Sequence, residues 1–470
     1  MNKLPDIKTQ FPEWYQEIIY QAELVDQSPV RGCMVIRPYG NAIWEEIKAI
    51  LDQKIKESGA ENAVFPLLIP ESFLKKEADH VEGFAPELAV VTHAGGKKLD
   101  EPLVIRPTSE TIIHHMFAQW IKSWRDLPLK INQWANVVRW EKRPRAFLRT
   151  TEFFWQEGHT AHATKEDAQK TTEQMLEVYR QIAQDYLAIP VQTGRKSEGE
   201  KFPGAEKTYT FEGFMPDARA LQMGTSHLLS QSFAKAFDMQ FQNKEGQLEY
   251  PWLTSWGSTT RLVGALVMTH GDQKGLVIPP AVAPIQVIII PIYKTEEERT
   301  LVLNTAETLK KELQTTTRIK IDDDQQKTPG NKFFHWELRG VPIRIEIGPR
   351  DLKNNEVVIA DRLGSKATVA LGSVVGLIPT QLENLQKAMF DKAKQKTESL
   401  IIDKDTLEAI KAVAETNVIK TGFCGSRECE GVLKQYTLSI RCLLLEQLTH
   451  KNCFNCQKPS QSDCFIARSY

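Results

Sequence analysis

Apolar residues recur at helical spacing early in the chain. Ile43, Ile47, Ile50, Leu51 and Ile55 share one face, which predicts a helix over residues 41–58. Asn41 can cap its start and Gly59 its end. The pattern then shifts to a strand-like run, Asn62-Ala63-Val64-Phe65-Pro66-Leu67-Leu68-Ile69. Pro66 has no N–H to donate, so the run belongs at an edge or an interface. Residues 100–280 mix short β-like segments with helices, an α+β layout around an antiparallel sheet. Gly275-Leu276-Val277-Ile278-Pro279-Pro280 reads as a boundary. After it, Gln286 to Ile292 is an apolar run suited to a buried strand, and Thr295-Glu296-Glu297-Glu298 is a capping box. Val341, Ile343, Ile345 and Ile347 alternate with Arg344 and Glu346, the pattern of a half-buried strand. Alternating strands and helices over 285–380 predict a separate α/β unit. The remainder, from about 381, reads as helical and then cysteine-rich. No internal repeat or low-complexity tract interrupts the chain.

Composition narrows the class. With 470 residues the chain is too long for one core, so two or three domains are expected. The apolar share of 41% and charged share of 25% suit a soluble globular protein. No apolar run approaches the ~20 residues of a membrane span, and the first residues lack a signal-peptide core, so a cytoplasmic address and no membrane partner are expected. A net charge of −1 announces no nucleic-acid partner globally; any RNA contact must come from local basic surfaces.

Six of the seven cysteines lie at or beyond Cys424. A secreted disulfide framework would not leave Cys33 alone ahead of them, whereas clustered cysteines in a cytosolic chain point to metal. Cys424 and Cys429 form a C-x₄-C pair, Cys453 and Cys456 a C-x₂-C pair. Four thiolates on two short loops suit tetrahedral Zn²⁺ with no open position, hence a structural role. Cys442, Cys464 and His450 are spare candidates, and reduced structural thiols are the plain alternative.

The densest chemistry runs from Val137 to His159. Arg139 and Glu141 have strand spacing and would share a face. A basic loop follows (Lys142, Arg143, Arg145), then Arg149 and Phe153 on a returning strand. Such a hairpin offers guanidinium groups for phosphates and an aromatic plane for a base. Alone, it is equally a hairpin with a solvated charged tip. Three other segments add polar groups: Arg106-Pro107-Thr108-Ser109-Glu110, then Leu221-Gln222-Met223-Gly224-Thr225-Ser226-His227, then Ser255 to Leu262, with Arg261 at the start of a helix. Each is weak singly; Thr259 and Thr260 would serve equally as an N-cap.

In this order the segments resemble the proline–tRNA ligases, specifically the archaeal/eukaryotic-like group, along essentially the whole chain. Helix 41–58 with the Pro66 strand is similar to motif 1 of class II synthetases, Arg139 to Phe153 to motif 2, and Thr259-Thr260-Arg261 to motif 3. Trp336 to Arg344 and Gly348 to Asp351 match the family's anticodon-binding domain, and Tyr470 its carboxy-terminal tyrosine near the active site. The resemblance implies a class II catalytic domain over 1–283, an α/β anticodon-binding domain over 284–384 and a small zinc-binding α+β domain over 385–470. It implies ligation of L-proline to proline tRNA through prolyl-adenylate, with ATP and Mg²⁺, in a homodimer, and no DNA partner. Arg139 would bridge the α-phosphate and the proline carboxylate, and with Arg261 forms the catalytic pair. Glu141, Arg149, Thr150, Phe153, Gln222, Thr225, Thr259 and Arg261 would hold ATP, with the adenine between Phe153 and Arg261. Thr108, Glu110, Arg139 and His227 would hold proline, with Trp155, Glu157 and His159 shaping the pocket. Glu337, Arg344, Glu346, Arg350 and Asp351 would face the anticodon. Zinc at the four paired cysteines agrees with the family. The short stretch between Phe153 and Arg261 leaves no room for an editing insertion, so alanine and cysteine are expected to be activated as well. A catalytically silent RNA-binding relative would have lost the phosphate-binding arginines, which are present. A threonine-specific enzyme would need metal ligands in the amino-acid pocket, which Thr108-Ser109-Glu110 does not supply.

Overall fold

The computed structural model describes residues 3–74, 88–445 and 448–470. Its centre is one sheet of eleven strands. Across the sheet these are Ile401–Asp403, Val418–Phe423, Ser462–Ser469, Ser439–Leu443, Val191–Arg195, Lys207–Phe214, Arg219–Ser230, Trp252–Thr259, Glu152–His162, Leu129–Val138 and Glu61–Asn62. The run from Val191 to Val138 is antiparallel throughout, as the mixed strand and helix pattern predicts. Helices Phe11–Gln21, Pro38–Glu57 and Arg261–His270 pack on one face, where Trp14, Ile18, Ile43, Ile47, Leu51, Val263 and Leu266 are fully or almost fully buried. A second core gathers Ile113, Phe117, Leu229, Phe233 and Phe241.

The helix predicted over 41–58 starts earlier, at Pro38, after Arg37 in extended conformation. Proline is favoured at the first helical position, so Pro38 rather than Asn41 sets the start. Gly59 follows the helix at φ +85° and donates to the Lys56 carbonyl, the ending its sequence position suggests. The run 62–69 is not one strand. Pairing stops at Asn62 and resumes at Leu68, and the backbone between is claimed by side chains: Phe65 N–H donates to Gln133 Oε1 at 3.1 Å, and Arg106 Nη1 donates to the Phe65 carbonyl at 2.7 Å.

A five-stranded sheet forms the second unit, in the order Ile319–Ile321, Val287–Pro291, Ile343–Ile347, Glu356–Asp361, Lys366–Ala370. The first three strands are parallel, joined through helices Glu296–Leu313 and Pro329–Leu338, the βαβ arrangement read from the sequence. The capping box at Thr295 and Glu298 is formed. Gly275 and Gly340 bring this unit onto the first one. Leu276 N–H donates to the Leu338 carbonyl and Ile278 N–H to that of Gly340, and a Cβ on either glycine would lie 2.6 Å from backbone atoms of the opposite segment. Arg362 clamps Asp272 with two bonds of 2.7 and 2.8 Å.

Helix Val374–Leu400 then runs unbroken from the second unit to the third, so positions 384 and 385 both lie inside it. The third unit is not a freestanding sheet. Its strands extend the catalytic sheet, with Leu443 opposite Arg195 and the last strand running parallel to Arg219–Ala220. The join is charged. Glu212 is fully buried and receives Lys196 Nζ at 2.7 Å and Arg441 Nη2 at 3.0 Å. Burial pushes the Glu212 carboxyl up, but the two cations outweigh it and hold it below the usual glutamate range.

Removing one member of a buried ion group leaves the others uncompensated, typically a loss of ~3–5 kcal/mol. Glu212→Ala should lose stability of this order in urea unfolding at pH 7. Because its carboxyl titrates low, the difference from wild type should be complete at neutral pH and shrink as acid protonates Glu212. A loss below ~1 kcal/mol at pH 7 would contradict this account.

Candidate active site

Strand Leu129–Val138 ends before Arg139, so Arg139 and Glu141 do not share a strand face as their spacing suggests. They sit on an extended connection. Arg139 N–H donates to the Thr151 carbonyl at 2.8 Å and Arg139 Nε to the Pro107 carbonyl at 2.9 Å. The pairing that would have continued the strand is replaced by this docking, and it aims the guanidinium between the Phe153 and Trp155 rings, 5.4 and 5.8 Å from their centroids. Glu141 accepts from Arg149 Nε across the loop. Arg149 forms an isolated bridge with Arg145 rather than joining the returning strand, which begins at Glu152 and carries Phe153.

These residues surround a cavity of about 460 Å³. It is lined by Thr108, Glu110, Arg139, Trp155, Glu157, His159 and His227, and by Glu141, Arg149, Thr150, Phe153, Gln222, Thr225, Thr259 and Arg261, all the amino-acid and nucleotide candidates together. Tyr470 lines it as well. Arg261 is held by the Leu148 carbonyl at 2.9 Å and the Gln222 carbonyl at 2.8 Å. Burial, and then the neighbouring Arg139 and Arg149, push its guanidinium down to about 10, so it remains charged at neutral pH. Three arginines converging on one end make an anion site. Thr259 Oγ1 accepts the Arg261 N–H at 3.0 Å, anchoring the helix start.

The other end is acidic, with Glu110, Glu157 and His159 buried. Thr108 donates its hydroxyl to Glu110, and Ser109 donates to Glu157. Gln133 donates to Ser109 Oγ at 2.8 Å and to Glu157 at 2.5 Å. Neither Ser109 nor Gln133 was among the sequence candidates. The available signal was register: Gln133 lies directly opposite Glu157 on the neighbouring strand, among apolar residues. His159 Nε2 lies 3.2 Å from Glu157. Burial opposes its charge, but the Glu157 hydrogen bond and the charges of Glu110 and Glu157 raise its pKa. His227 behaves oppositely. Burial pushes it down to about 4, so it is neutral at pH 7, with Thr208 Oγ1 3.0 Å from Nδ1 and Thr225 Oγ1 2.9 Å from Nε2. Lys196, Phe202 and Thr208 also line this end and have no motif to mark them.

In the second unit, Arg344 and Glu346 share a strand face and bond to each other at 3.0 Å. Lys366 reaches Glu346 at 3.0 Å, and the Arg344 guanidinium lies 4.3 Å from the Phe333 ring centroid. Glu337 pairs instead with Lys274 of the linker at 3.2 Å. Arg350 and Asp351 lie on the short helix Pro349–Lys353, where Asp351 accepts the Gly348 N–H at 3.2 Å. Trp336 is buried and donates to Asp322, so it packs in the core, while Phe334 is exposed.

At the far end, Cys424, Cys429, Cys453 and Cys456 place their sulfurs within 4.8 Å of one another. The Cys424 and Cys456 sulfurs are 3.7 Å apart, close to the ~3.8 Å edge of a tetrahedron with ~2.3 Å Zn–S bonds. The donor set therefore fits zinc. Cys456 is drawn down to about 7, first by the Lys458 N–H, so one thiol is ready to ionise. The spares are elsewhere. Cys442 and Cys464 are buried in strands, and His450 is enclosed by Asp403 and Asp463, each 3.2 Å away.

Three family models match: "tRNA synthetase class II core domain (G, H, P, S and T)" over residues 92–270, "Anticodon binding domain" over 286–381 and "Prolyl-tRNA synthetase, C-terminal" over 407–470. Among curated relatives, a proline–tRNA ligase of Acetoanaerobium sticklandii is 49% identical over 100% of this chain and 98% of its own length. A chloroplastic/mitochondrial proline–tRNA ligase of Arabidopsis thaliana is also 49% identical, over 98% of this chain and 87% of its own. Among solved structures, prolyl-tRNA synthetase from Cryptosporidium parvum, complexed with halofuginone and AMPPNP, superposes with a TM-score of 0.95 at 43% identity, covering 100% and 99% of the two chains.

The cysteine geometry predicts one Zn²⁺ per chain by elemental analysis. Replacing Cys424 and Cys456 together by Ser should reduce this below a tenth. Full zinc in the double variant would show that the metal, if bound, sits elsewhere.

Proposed function

The chain belongs to the proline–tRNA ligases, class II aminoacyl-tRNA synthetases, and from that premise we propose how its cavity divides the work. It ligates proline to tRNA with ATP. The observation that carries the assignment of roles is one cavity with three arginines at one end and a buried Glu110–Glu157–His159 group at the other. The arginine end takes the ATP phosphates, and the acidic end takes the secondary ammonium of proline.

In the first step a proline carboxylate oxygen attacks the α-phosphorus and pyrophosphate leaves. The carboxylate is already a nucleophile, so no general base is required; the residues position and neutralise. Arg139 lies between the two ends and bridges the α-phosphate and the carboxylate. Phe153 and Arg261 sandwich the adenine, with Gln222, Thr225, Thr259 and Thr150 around the nucleotide. Glu141 orients Arg149 toward the phosphates and offers the carboxylate oxygen that a hard cation takes. Mg²⁺ accompanying ATP would offset phosphate charge. Glu110 accepts from the proline ammonium. Neutral His227 and Thr108 close one side, and Trp155, Glu157 and His159 shape the other. In the second step the terminal ribose hydroxyl of tRNA attacks the prolyl carbonyl and AMP leaves.

We assign catalysis to residues 1–283, anticodon reading to 284–384 and a zinc-stabilised buttress to 385–470. Arg344, Glu346, Arg350, Asp351 and Glu337 would read unstacked anticodon bases. No helix among the described residues is long and apolar enough to cross a membrane, and the reading carries a cytoplasmic address. The archaeal/eukaryotic-like group fits the interval between Phe153 and Arg261, which core strands and helices occupy.

Removing one preorganised donor typically costs ~10²–10³ in rate. Pyrophosphate exchange with proline should fall at least this far in Arg139→Ala, and a value within tenfold of wild type would remove Arg139 from its role. In the same assay proline should exceed threonine strongly, while alanine and cysteine give measurable exchange, since a methylene is worth only ~1–3 kcal/mol in a pocket. Rapid hydrolysis of alanyl-tRNA by the purified chain would refute the absence of correction in cis.

The exposed Val64 (91%), with Leu67 and Leu68 beside the motif 1 helix, supports a homodimer. Sedimentation should give twice the chain mass of 53.5 kDa. A monomer at micromolar concentration would count against it.

A further inference from the structure

Between strands Val191–Arg195 and Lys207–Phe214 the chain makes an eleven-residue excursion, 196–206, that walls the amino-acid end of the cavity. Phe202 lies against His227 with ring centroids 4.6 Å apart. Its N–H donates to Thr208 Oγ1 at 3.0 Å, and the same hydroxyl contacts His227 Nδ1. The Thr208 hydroxyl thus joins the Phe202 backbone to the His227 ring. The loop packs an aromatic ring directly on His227.

The loop is not held by the catalytic unit alone. Glu430, buried in helix Arg427–Gly431 of the third unit, accepts the Ser197 hydroxyl on one carboxylate oxygen and the Gly199 N–H at 3.2 Å on the other. A Cβ on Gly199 would stand 2.8 Å from that carboxylate, so the backbone approaches it as closely as a side chain would forbid. Lys196 secures the start of the loop by donating to the Arg441 carbonyl at 2.9 Å as well as to Glu212.

We propose that Glu430 is a positioning residue for proline binding: by holding Ser197 and Gly199 it sets the loop whose Phe202 closes the pocket over His227. The inference rests on the assignment of His227 to the proline pocket. Glu430 is not among the residues that line the cavity. Its carboxylate satisfies a hydroxyl and an amide that would otherwise be left in a buried place, and both belong to the loop. A charged acceptor makes these bonds stronger than neutral ones.

The test is steady-state pyrophosphate exchange by the full-length enzyme, titrating proline and ATP separately. Glu430→Ala should raise KM for proline about tenfold and leave KM for ATP within about twofold. Glu430→Gln, which keeps one acceptor oxygen, should fall between the two. Ser197→Ala attacks the same contact from the loop and should raise KM for proline about threefold, so the proposal remains testable if Glu430→Ala does not fold. His227→Ala is run alongside. If it raises KM for proline while the Glu430 and Ser197 variants leave it within twofold, the positioning role is overturned and the pocket assignment stands. If His227→Ala also changes nothing, the pocket assignment fails and the proposal with it. Equal rises in both KM values together with a lowered melting temperature would show general loosening and would also overturn the proposal.

Discussion

Glu212 is a carboxylate with no access to water, and Lys196 and Arg441 answer its charge from two different units of the fold. A buried charge of this kind is tolerated only while its partners stay in place. That requirement ties the carboxy-terminal unit to the catalytic sheet beside the cavity. The strand pairings at Leu443 with Arg195 and at Ser469 with Ala220 continue the same join in backbone hydrogen bonds. Tyr470 completes it, its hydroxyl donating to Asp217 at 2.7 Å while its ring faces the cavity. The cysteine cluster lies at the outer edge of this unit, where a metal would stiffen the element that carries Glu430 without meeting the substrates.

Within the cavity the two ends are made different by their neighbours. At the arginine end, repulsion from Arg139 and Arg149 acts on a partly buried Arg261, which backbone carbonyls hold in place of counter-charges. Apart from Glu141, which pairs with Arg149, positive charge dominates there. At the opposite end, carboxylates draw hydroxyl and amide donors inward. His159 and His227 show the contrast in one residue type. Glu157 beside the first raises its pKa, while burial lowers that of the second, whose hydrogen-bond partners are the hydroxyls of Thr208 and Thr225.

The local errors of the sequence reading have specific causes. Strand spacing at Arg139 and Glu141 was misleading because backbone pairing stops where the Pro107 carbonyl captures the Arg139 side chain. The run around Pro66 broke for a related reason, its carbonyls and amides being taken by Arg106 and Gln133, both distant in sequence. Ser109 was given no role of its own, and Gln133 and Phe202 escaped notice, because each acts through a partner that only the strand register or a loop brings near.

What the sequence determined by itself is the content of each element: helical and strand periodicity, the capping box at Thr295, the paired cysteines, and the arginines and carboxylates that would meet substrate. These follow from local spacing and side-chain chemistry, although distant partners moved the strand ends near Arg139 and Pro66. The tertiary structure alone decided that the carboxy-terminal strands extend the catalytic sheet, that Lys196, Glu212 and Arg441 share one buried site, and that Glu430 reaches the loop over His227. Pairing of sheet edges and compensation of buried charge depend on groups hundreds of positions apart, so their energies exist only once the chain has closed on itself.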